Sequence, residues 1–359
     1  MSLLDHTKPY QGRFFTEFSE DKIQCNLCPR HCVIGNEQRG FCFVRKNVKQ
    51  KMVLTAYGRS SGFCVDPIEK KPLNHFYPGE SILSFGTAGC NLGCRFCQNW
   101  DISKAKEMDR LQQYASPEAI AHRCKELGCI GVAFTYNDPV IFAEYAIDIA
   151  KECKKLGLKT VAVTAGYICP EAREEFYSYM DAANVDLKAF TQTFYKKLCM
   201  ANLEPVLETL KYLKHQTKVW FEITNLVIPN NNDNDTEIHE MSKWIMDNLG
   251  PDVPLHFTAF HPDFKMMDTP ATTPECLIKA RRIAKEYGLH YVYTGNMHSQ
   301  DTASTYCPNC NRCIIERDWY QLGEYHIKDS HCAFCNYPIE GVFLNNRGDW
   351  GRKRVSIQF

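Results

Sequence analysis

Cysteine is the residue in this 359-residue chain whose number and spacing could do chemistry. Of its 19 cysteines, groups of four, three and five stand close together: Cys25/Cys28/Cys32/Cys42, Cys90/Cys94/Cys97 and Cys307/Cys310/Cys313/Cys332/Cys335. The sharpest is Gly89-Cys90-Asn91-Leu92-Gly93-Cys94-Arg95-Phe96-Cys97, a C-x3-C-x2-C loop directly after a strand-like run. Three thiolates this close can hold three irons of a 4Fe–4S cluster. Such clusters normally take four cysteines, so the fourth iron is left open for a cofactor. Gly89 and Gly93 let the loop fold tightly, and Phe96 can shield the cluster or stack on an aromatic ligand. The competing reading is a structural zinc loop completed by a distant ligand. Spacing and position together favour the cluster.

The two ends carry their own thiol sets. Cys25-x2-Cys28-x3-Cys32-x9-Cys42 fits a structural zinc or an auxiliary 4Fe–4S cluster, because tetrahedral sulfur suits both. His31 is either a substitute ligand or an exposed loop histidine. Cys307-x2-Cys310 and Cys332-x2-Cys335, 21 residues apart, read as a zinc-ribbon or rubredoxin-like knuckle pair for zinc or iron. Cys313 is a bystander or a competing ligand. This pair either docks a macromolecule or staples a tail too short for its own core. For Cys64, Cys124, Cys129, Cys153, Cys169, Cys199 and Cys276 the expectation is a buried structural thiol.

The elements that must position these groups are legible between about Ser81 and Asn296. Strand-like runs at 81–87, 130–136, 159–165, 184–190, 218–228, 254–260 and 290–295 alternate with amphipathic helical patterns. Ser116-Pro117, Asp138-Pro139 and Thr273-Pro274 place a capping residue before the proline favoured at a first helical position. Gly128, Gly157 and Gly288 stand where helices stop. Ile141, Tyr145, Ile149 and Cys153 recur every four residues as one buried stripe. Repeated strand–helix units imply a parallel sheet, closed partly or wholly into a barrel or doubly wound. The expected division is a Cys-rich metal-binding region at 1–80, a β/α core at 81–298 and a zinc-ribbon or rubredoxin-like domain at 299–359. Both ends read as loop-like.

Composition bounds the class. The 42 Lys+Arg balance 42 Asp+Glu, which argues against a dominant nucleic-acid or anionic-membrane surface. With 44% hydrophobic and 23% charged residues the chain is globular, and it holds no run of about 18 apolar residues. The start MSLLDHTKPYQ lacks the regions of a secretion leader, and clustered thiols imply a reducing compartment. The expected location is cytoplasmic.

The cluster loop, with an aromatic before its last cysteine and a βα core behind it, resembles the radical SAM superfamily. More narrowly, GCNLGCRFCQNWDIS, DPIEKKPLNHFYPG, VDLKAF, FEITNLVIPNNND, LHFTAFHPD and YVYTGN resemble the radical SAM proteins of AmmeMemoRadiSam systems, relatives of pyruvate formate-lyase activating enzymes. The resemblance runs over nearly the whole chain. It implies an α/β fold, a partial (β/α) barrel with Cys-rich extensions, and S-adenosylmethionine (SAM) across the barrel mouth. It also implies reductive cleavage of SAM to methionine and a 5′-deoxyadenosyl radical that abstracts hydrogen from a substrate. By resemblance Asn137 and Asp138 meet the SAM amino group, Asp186 and Lys188 its ribose and carboxylate, and His261 matches a histidine of the activating enzymes. Val163-Thr164-Ala165-Gly166-Tyr167 departs from them, with Ala where relatives usually carry Asn; Thr164 remains a SAM-contact candidate. A radical enzyme fed by a reductase would gain from a relay cluster at the N-terminal thiols. Implied partners are a flavodoxin- or ferredoxin-type electron donor, a protein substrate, and AMMECR-type and Memo-type proteins.

The polar candidates past the strand ends (Thr135 to Asp138, Thr164, Asp186/Lys188, Asn230, His261) lie on the face that carries active sites in β/α barrels. Each also has a bland reading: Asp138 as a helix cap, Asp186/Lys188 as an ion pair, His261 as a hydrogen-bonded core histidine. Gln98-Asn99-Trp100 and Glu69-Lys70-Lys71…His75 either face substrate or form a packed turn and a solvated charge run. No catalytic side chain is assigned. The alternatives to a radical enzyme acting on protein are a non-catalytic metal scaffold or electron carrier, and an RNA-modifying radical enzyme.

Overall fold

The structure, a computed structural model, describes residues 10–104 and 113–359. The reading of the first residues as lacking a secretion leader falls largely on 1–9, outside the described residues. One nine-stranded sheet organises the chain. Its strands are β1 (Phe63–Pro67), β2 (Ser81–Phe85), β3 (Gly131–Phe134), β4 (Lys159–Thr164), β5 (Ala182–Asp186), β6 (Trp220–Val227), β7 (Leu255–Ala259), β8 (Val292–Gly295) and β9 (Val355–Ile357). They lie in the order β8-β7-β6-β5-β4-β3-β2-β1-β9. β2 to β8 are mutually parallel, and β1 and β9 add antiparallel at one edge. All seven strand-like runs of the sequence appear. β5 begins two residues before its apolar run and ends at Asp186, which leaves Lys188 just beyond it.

Six helices cover the sheet: α1 (Pro117–Glu126), α2 (Ala143–Lys155), α3 (Pro170–Ser178), α4 (Glu204–Gln216), α5 (Asp235–Leu249) and α6 (Pro274–Glu286). Ser116 and Thr273 cap α1 and α6 by accepting from the backbone N–H of Ala119 and Cys276. Asp138 caps a 3-10 turn, Pro139–Phe142, that leads into α2. The stripe Ile141, Tyr145, Ile149 and Cys153 is buried, each at 1% exposure or less. Strands of one chirality joined by helices give the open, partial barrel, its sheet unclosed between β8 and β9.

The barrel interior is plugged from below. Ile68, Leu73 and Phe76, in the segment joining β1 to β2, pack on Ile82, Ala133, Val161 and Ala182. Small residues on the strands leave room for this plug. Glu222 anchors it by accepting from the backbone N–H of Asn74 (2.9 Å) and His75 (2.7 Å), while His256 Nε2 sits 2.6 Å from the same carboxylate.

The ends are less loop-like than the sequence suggests. Phe15–Ser19, Lys22–Cys25 and Val33–Gly35 form one small sheet, and Tyr10–Gln11, Lys51–Leu54 and Arg45–Val48 another. Strands of two to five residues are too short to show a period in sequence. The N-terminal sheets are tied to α2 by a buried ion pair, Arg45 Nη2 to Glu144 Oε2 at 2.5 Å. The C-terminal hairpin Cys313–Asp318/Gln321–Tyr325 packs its Ile314, Ile315 and Leu322 with Tyr291 and Tyr293 beneath the barrel. The sheet thus takes one strand, β1 and β9, from each flanking region. No helix among the described residues is long and apolar enough to cross a membrane.

Candidate functional site

β2 ends at Phe85, and the chain turns through Gly86 into the cysteine loop. Gly89 is needed here for two reasons. Its φ is +83°, and a Cβ on it would lie 2.0 Å from the Cys42 carbonyl. Asn137, past β3, holds the loop: its Oδ1 accepts from Thr87 N–H (3.0 Å), and its Nδ2 donates to Thr87 Oγ1 (3.1 Å) and the Gly89 carbonyl (2.8 Å). Cys90, Cys94 and Cys97 then line one cavity of about 980 Å3 at the carboxyl ends of the strands.

The same cavity is lined by Asn137, Asp138, Thr164, Asp186 and Lys188. Asp138 Oδ1 accepts from Thr164 Oγ1 (2.9 Å) and Val140 N–H (3.0 Å), and its Oδ2 accepts from Ala165 N–H (3.2 Å). It is therefore both the helix cap and a cavity wall. Burial pushes its carboxyl up to about 6, against those hydrogen bonds. Lys188 Nζ donates to Asp186 Oδ2 at 2.9 Å. Burial lowers Lys188, yet Asp186, Cys94 and Cys199 together hold it well above its ordinary value, so it stays charged.

His261 is not brought in. It is exposed, lies off the cavity lining, and its Nδ1 has only the Pro262 carbonyl at 3.3 Å. Asn230 is likewise exposed and off the cavity. The two ambiguous segments divide. Gln98 and Asn99 line the cavity, while Trp100 is exposed and stacks on Phe264. Lys70 and Lys71 line it too, whereas Glu69 and His75 turn into the buried network under the barrel, near Arg317 and Tyr293.

Several residues in or against the cavity wall carried no signal for this site in the sequence. Cys199 is buried and hydrogen-bonded to Cys94; with Lys188 and Lys104 it pulls the Cys94 thiol down to about 7 despite burial. Cys90, by contrast, is pushed up to about 12 by burial and the Asp138 charge. A metal ion is what would hold all three as thiolates. Lys104 Nζ donates to the Leu92 carbonyl at 2.7 Å and so braces the loop. Cys64 Sγ lies 2.6 Å from Tyr136 Oη, and Tyr136 donates to Asp66 Oδ2 at 3.0 Å. Burial raises Asp66, but Lys71 at 2.7 Å and Lys70 at 3.1 Å hold it well below the usual carboxylate range. Only contacts between distant strands reveal this group. Tyr320 and Arg354 of the C-terminal segment complete the mouth.

Away from the mouth, Cys307, Cys310, Cys332 and Cys335 bring their sulfurs within 4.8 Å of one another, with Cys307–Cys335 at 3.5 Å and Cys310–Cys332 at 3.8 Å. Cys313 stands outside that set. Four thiols at this separation suit a single tetrahedral ion. Cys25, Cys28, Cys32 and Cys42 surround a second, small cavity behind the cysteine loop. His31 is exposed, with Nε2 3.8 Å from Cys169 Sγ.

Comparison with known proteins agrees with this arrangement. Residues 85–242, from the end of β2 through the cysteine loop into α5, match the Radical SAM superfamily. The chain is 38% identical over 334 residues to an uncharacterized Methanocaldococcus jannaschii protein, covering 92% of this chain and 99% of that one. It is 24% identical over 227 residues to the pyruvate formate-lyase 1-activating enzyme of Escherichia coli, covering 59% of this chain and 91% of that enzyme. A domain of a pyruvate-formate lyase-activating enzyme from Bacteroides vulgatus aligns at 19% identity and a TM-score of 0.40, over 46% of this chain and 99% of that domain. The three-thiol loop, its place at the strand ends, the match over residues 85–242 and the sequence relatives agree: the chain carries a radical SAM domain and is a homologue of the pyruvate formate-lyase activating enzymes.

Proposed function

We propose that this protein is an activating-type radical SAM enzyme whose substrate is another protein. The observation that carries the reading is the convergence of Cys90, Cys94 and Cys97 with Asp138, Thr164, Asp186 and Lys188 on one cavity. The residues fit the cofactors. Three thiols and no fourth cysteine within the loop leave one iron of a 4Fe–4S cluster for SAM. When bound, the cluster supplies the electron that cleaves SAM to methionine and a 5′-deoxyadenosyl radical.

The chain's own residues then bind and orient. The ionised Asp138 would hold the SAM ammonium, and Thr164 fixes the rotamer of that carboxylate through its hydroxyl. The Asp186–Lys188 pair offers a carboxylate to ribose hydroxyls and an ammonium to the methionine carboxylate. Phe96, 3% exposed, packs beside Lys188. His261 is left out of this set.

The similarity to activating enzymes favours a protein target. Electrons come from a flavodoxin- or ferredoxin-type donor, in the cytoplasm, and AMMECR-type and Memo-type proteins are the first partners to test. At the C terminus the collapsed four-thiol set suits one zinc or iron ion, with Cys313 as a bystander. This system is of the AmmeMemoRadiSam kind.

The test is anaerobic 5′-deoxyadenosine formation with SAM and dithionite, alone and with each added partner or with tRNA. The reading expects a protein to accelerate formation several-fold and to emerge carrying a radical or its modification product. Acceleration by tRNA, with binding that collapses between about 50 and 200 mM salt, would instead establish the RNA-modifying alternative.

A further inference from the structure

We infer that Cys25, Cys28, Cys32 and Cys42 hold a 4Fe–4S cluster rather than zinc, and that this cluster is the electron inlet to the Cys90/Cys94/Cys97 loop. The first observation is the spread of the thiols. One zinc ion holds four thiolates at about 2.3 Å, which closes the sulfurs to about 3.8 Å from one another. The C-terminal set shows that closure, at 3.5 and 3.8 Å. Among the described residues it is the sole group of three or more potential ligands drawn within 4.8 Å. Neither the N-terminal quartet nor the Cys90/Cys94/Cys97 loop shows that closure. In a cubane each thiolate takes a different iron, so the thiols must stand apart around the cluster body.

The second observation is what the four thiols enclose. They line a cavity of about 20 Å3 walled by Leu27, Ile34, Val140 and Ile141. A single water needs about 10–15 Å3, and four thiolates closed on one ion leave no such void. A cation faces the same space. Arg45, wholly buried, lines the cavity and is fixed by Glu144 and by the Ile141 carbonyl at 3.2 Å. A cluster on four thiolates is anionic, and a fixed buried cation offsets the cost of desolvating it.

Position supplies the role. Asn91, between Cys90 and Cys94, lines the N-terminal cavity, and the Cys42 carbonyl packs directly on Gly89. Arg30 joins the two loops by donating to the Asn91 and Met200 carbonyls. The two thiol sets therefore adjoin through Gly89, Asn91 and the Cys42 carbonyl. In the step, a reduced flavodoxin- or ferredoxin-type carrier loses one electron to the N-terminal cluster. That cluster is reoxidised as the electron passes to the loop's cluster, with no bond made or broken. The inlet role rests on the radical SAM reading; the cluster assignment does not.

The experiment is anaerobic reconstitution of the full chain with iron and sulfide, followed by metal and acid-labile sulfide analysis and EPR after dithionite reduction. The triple variant Cys90→Ala/Cys94→Ala/Cys97→Ala should keep about four irons and four sulfides and an EPR signal that SAM does not alter. Zinc without sulfide in that variant overturns the assignment. So does wild type holding only about four irons, a count that needs no variant to fold. For the inlet, Cys25→Ala/Cys42→Ala should retain 5′-deoxyadenosine formation with dithionite and lose it at least tenfold with reduced flavodoxin. Equal activity with both reductants, or loss with both, overturns the inlet. Wild type inactive with dithionite would sink the radical SAM reading and leave the iron and sulfide counts to decide the cluster.

Discussion

At the residue scale, Asp138 carries two duties that sequence alone presents as rivals. Its Oδ1 caps the turn at Pro139 and, with Oδ2, its carboxylate forms part of the cavity wall. Its pKa near 6 has a consequence with a definite sign. Above pH 6 the carboxylate is charged and, on the proposed reading, would attract the SAM ammonium; below it the proton removes that attraction. SAM affinity should therefore weaken as pH falls from 7 to 5, approaching about tenfold per unit below 6, and Asp138→Asn should flatten the profile. Anaerobic binding titrations at three pH values would check this, and an unchanged profile in the variant would refute it. Cys94→Ala should remove the loop's iron while the metal at Cys307/Cys310/Cys332/Cys335 persists, as read by metal analysis. His261→Ala should leave SAM binding within about twofold, because the side chain is exposed and off the cavity.

At the element scale, the seven parallel strands and their capped helices were legible because each carries a local signal. Val161 and Ala162 lie in an apolar run, Ser116 precedes Pro117, and Gly157 ends α2 with a φ of +74°. The three-cysteine loop was legible for the same reason. Cys199, Cys64 and Lys104 were not, since what recruits them is packing between distant segments. His75 was ambiguous because its partners, Tyr293 and the Glu340 carbonyl, lie over two hundred residues away. The Arg45–Glu144 pair between the N-terminal sheets and α2 is invisible in sequence for that reason too. Arg45→Met would strand a buried carboxylate that is 0% exposed, and should cost about 3–5 kcal/mol. Adding Glu144→Leu should recover much of it. Denaturant unfolding of both variants measures the difference, and an equal cost in single and double variants would contradict the account.

For the whole molecule, three thiol sets suit a protein built to hold metals. The C-terminal set pins a segment that supplies Tyr320 and Arg354 to the mouth and β9 to the sheet edge. Cys335→Ser should lose one metal ion per chain and speed proteolysis within 305–359, with iron at the loop unchanged. The central claim is that the cavity cleaves SAM by one-electron reduction at the cluster loop. The measurement that tests it most directly is anaerobic formation of 5′-deoxyadenosine from SAM with dithionite, wild type beside Cys94→Ala. The account predicts product from wild type and none from the variant. Equal product from both, or none from an iron-loaded wild type supplied with its partners, would contradict it.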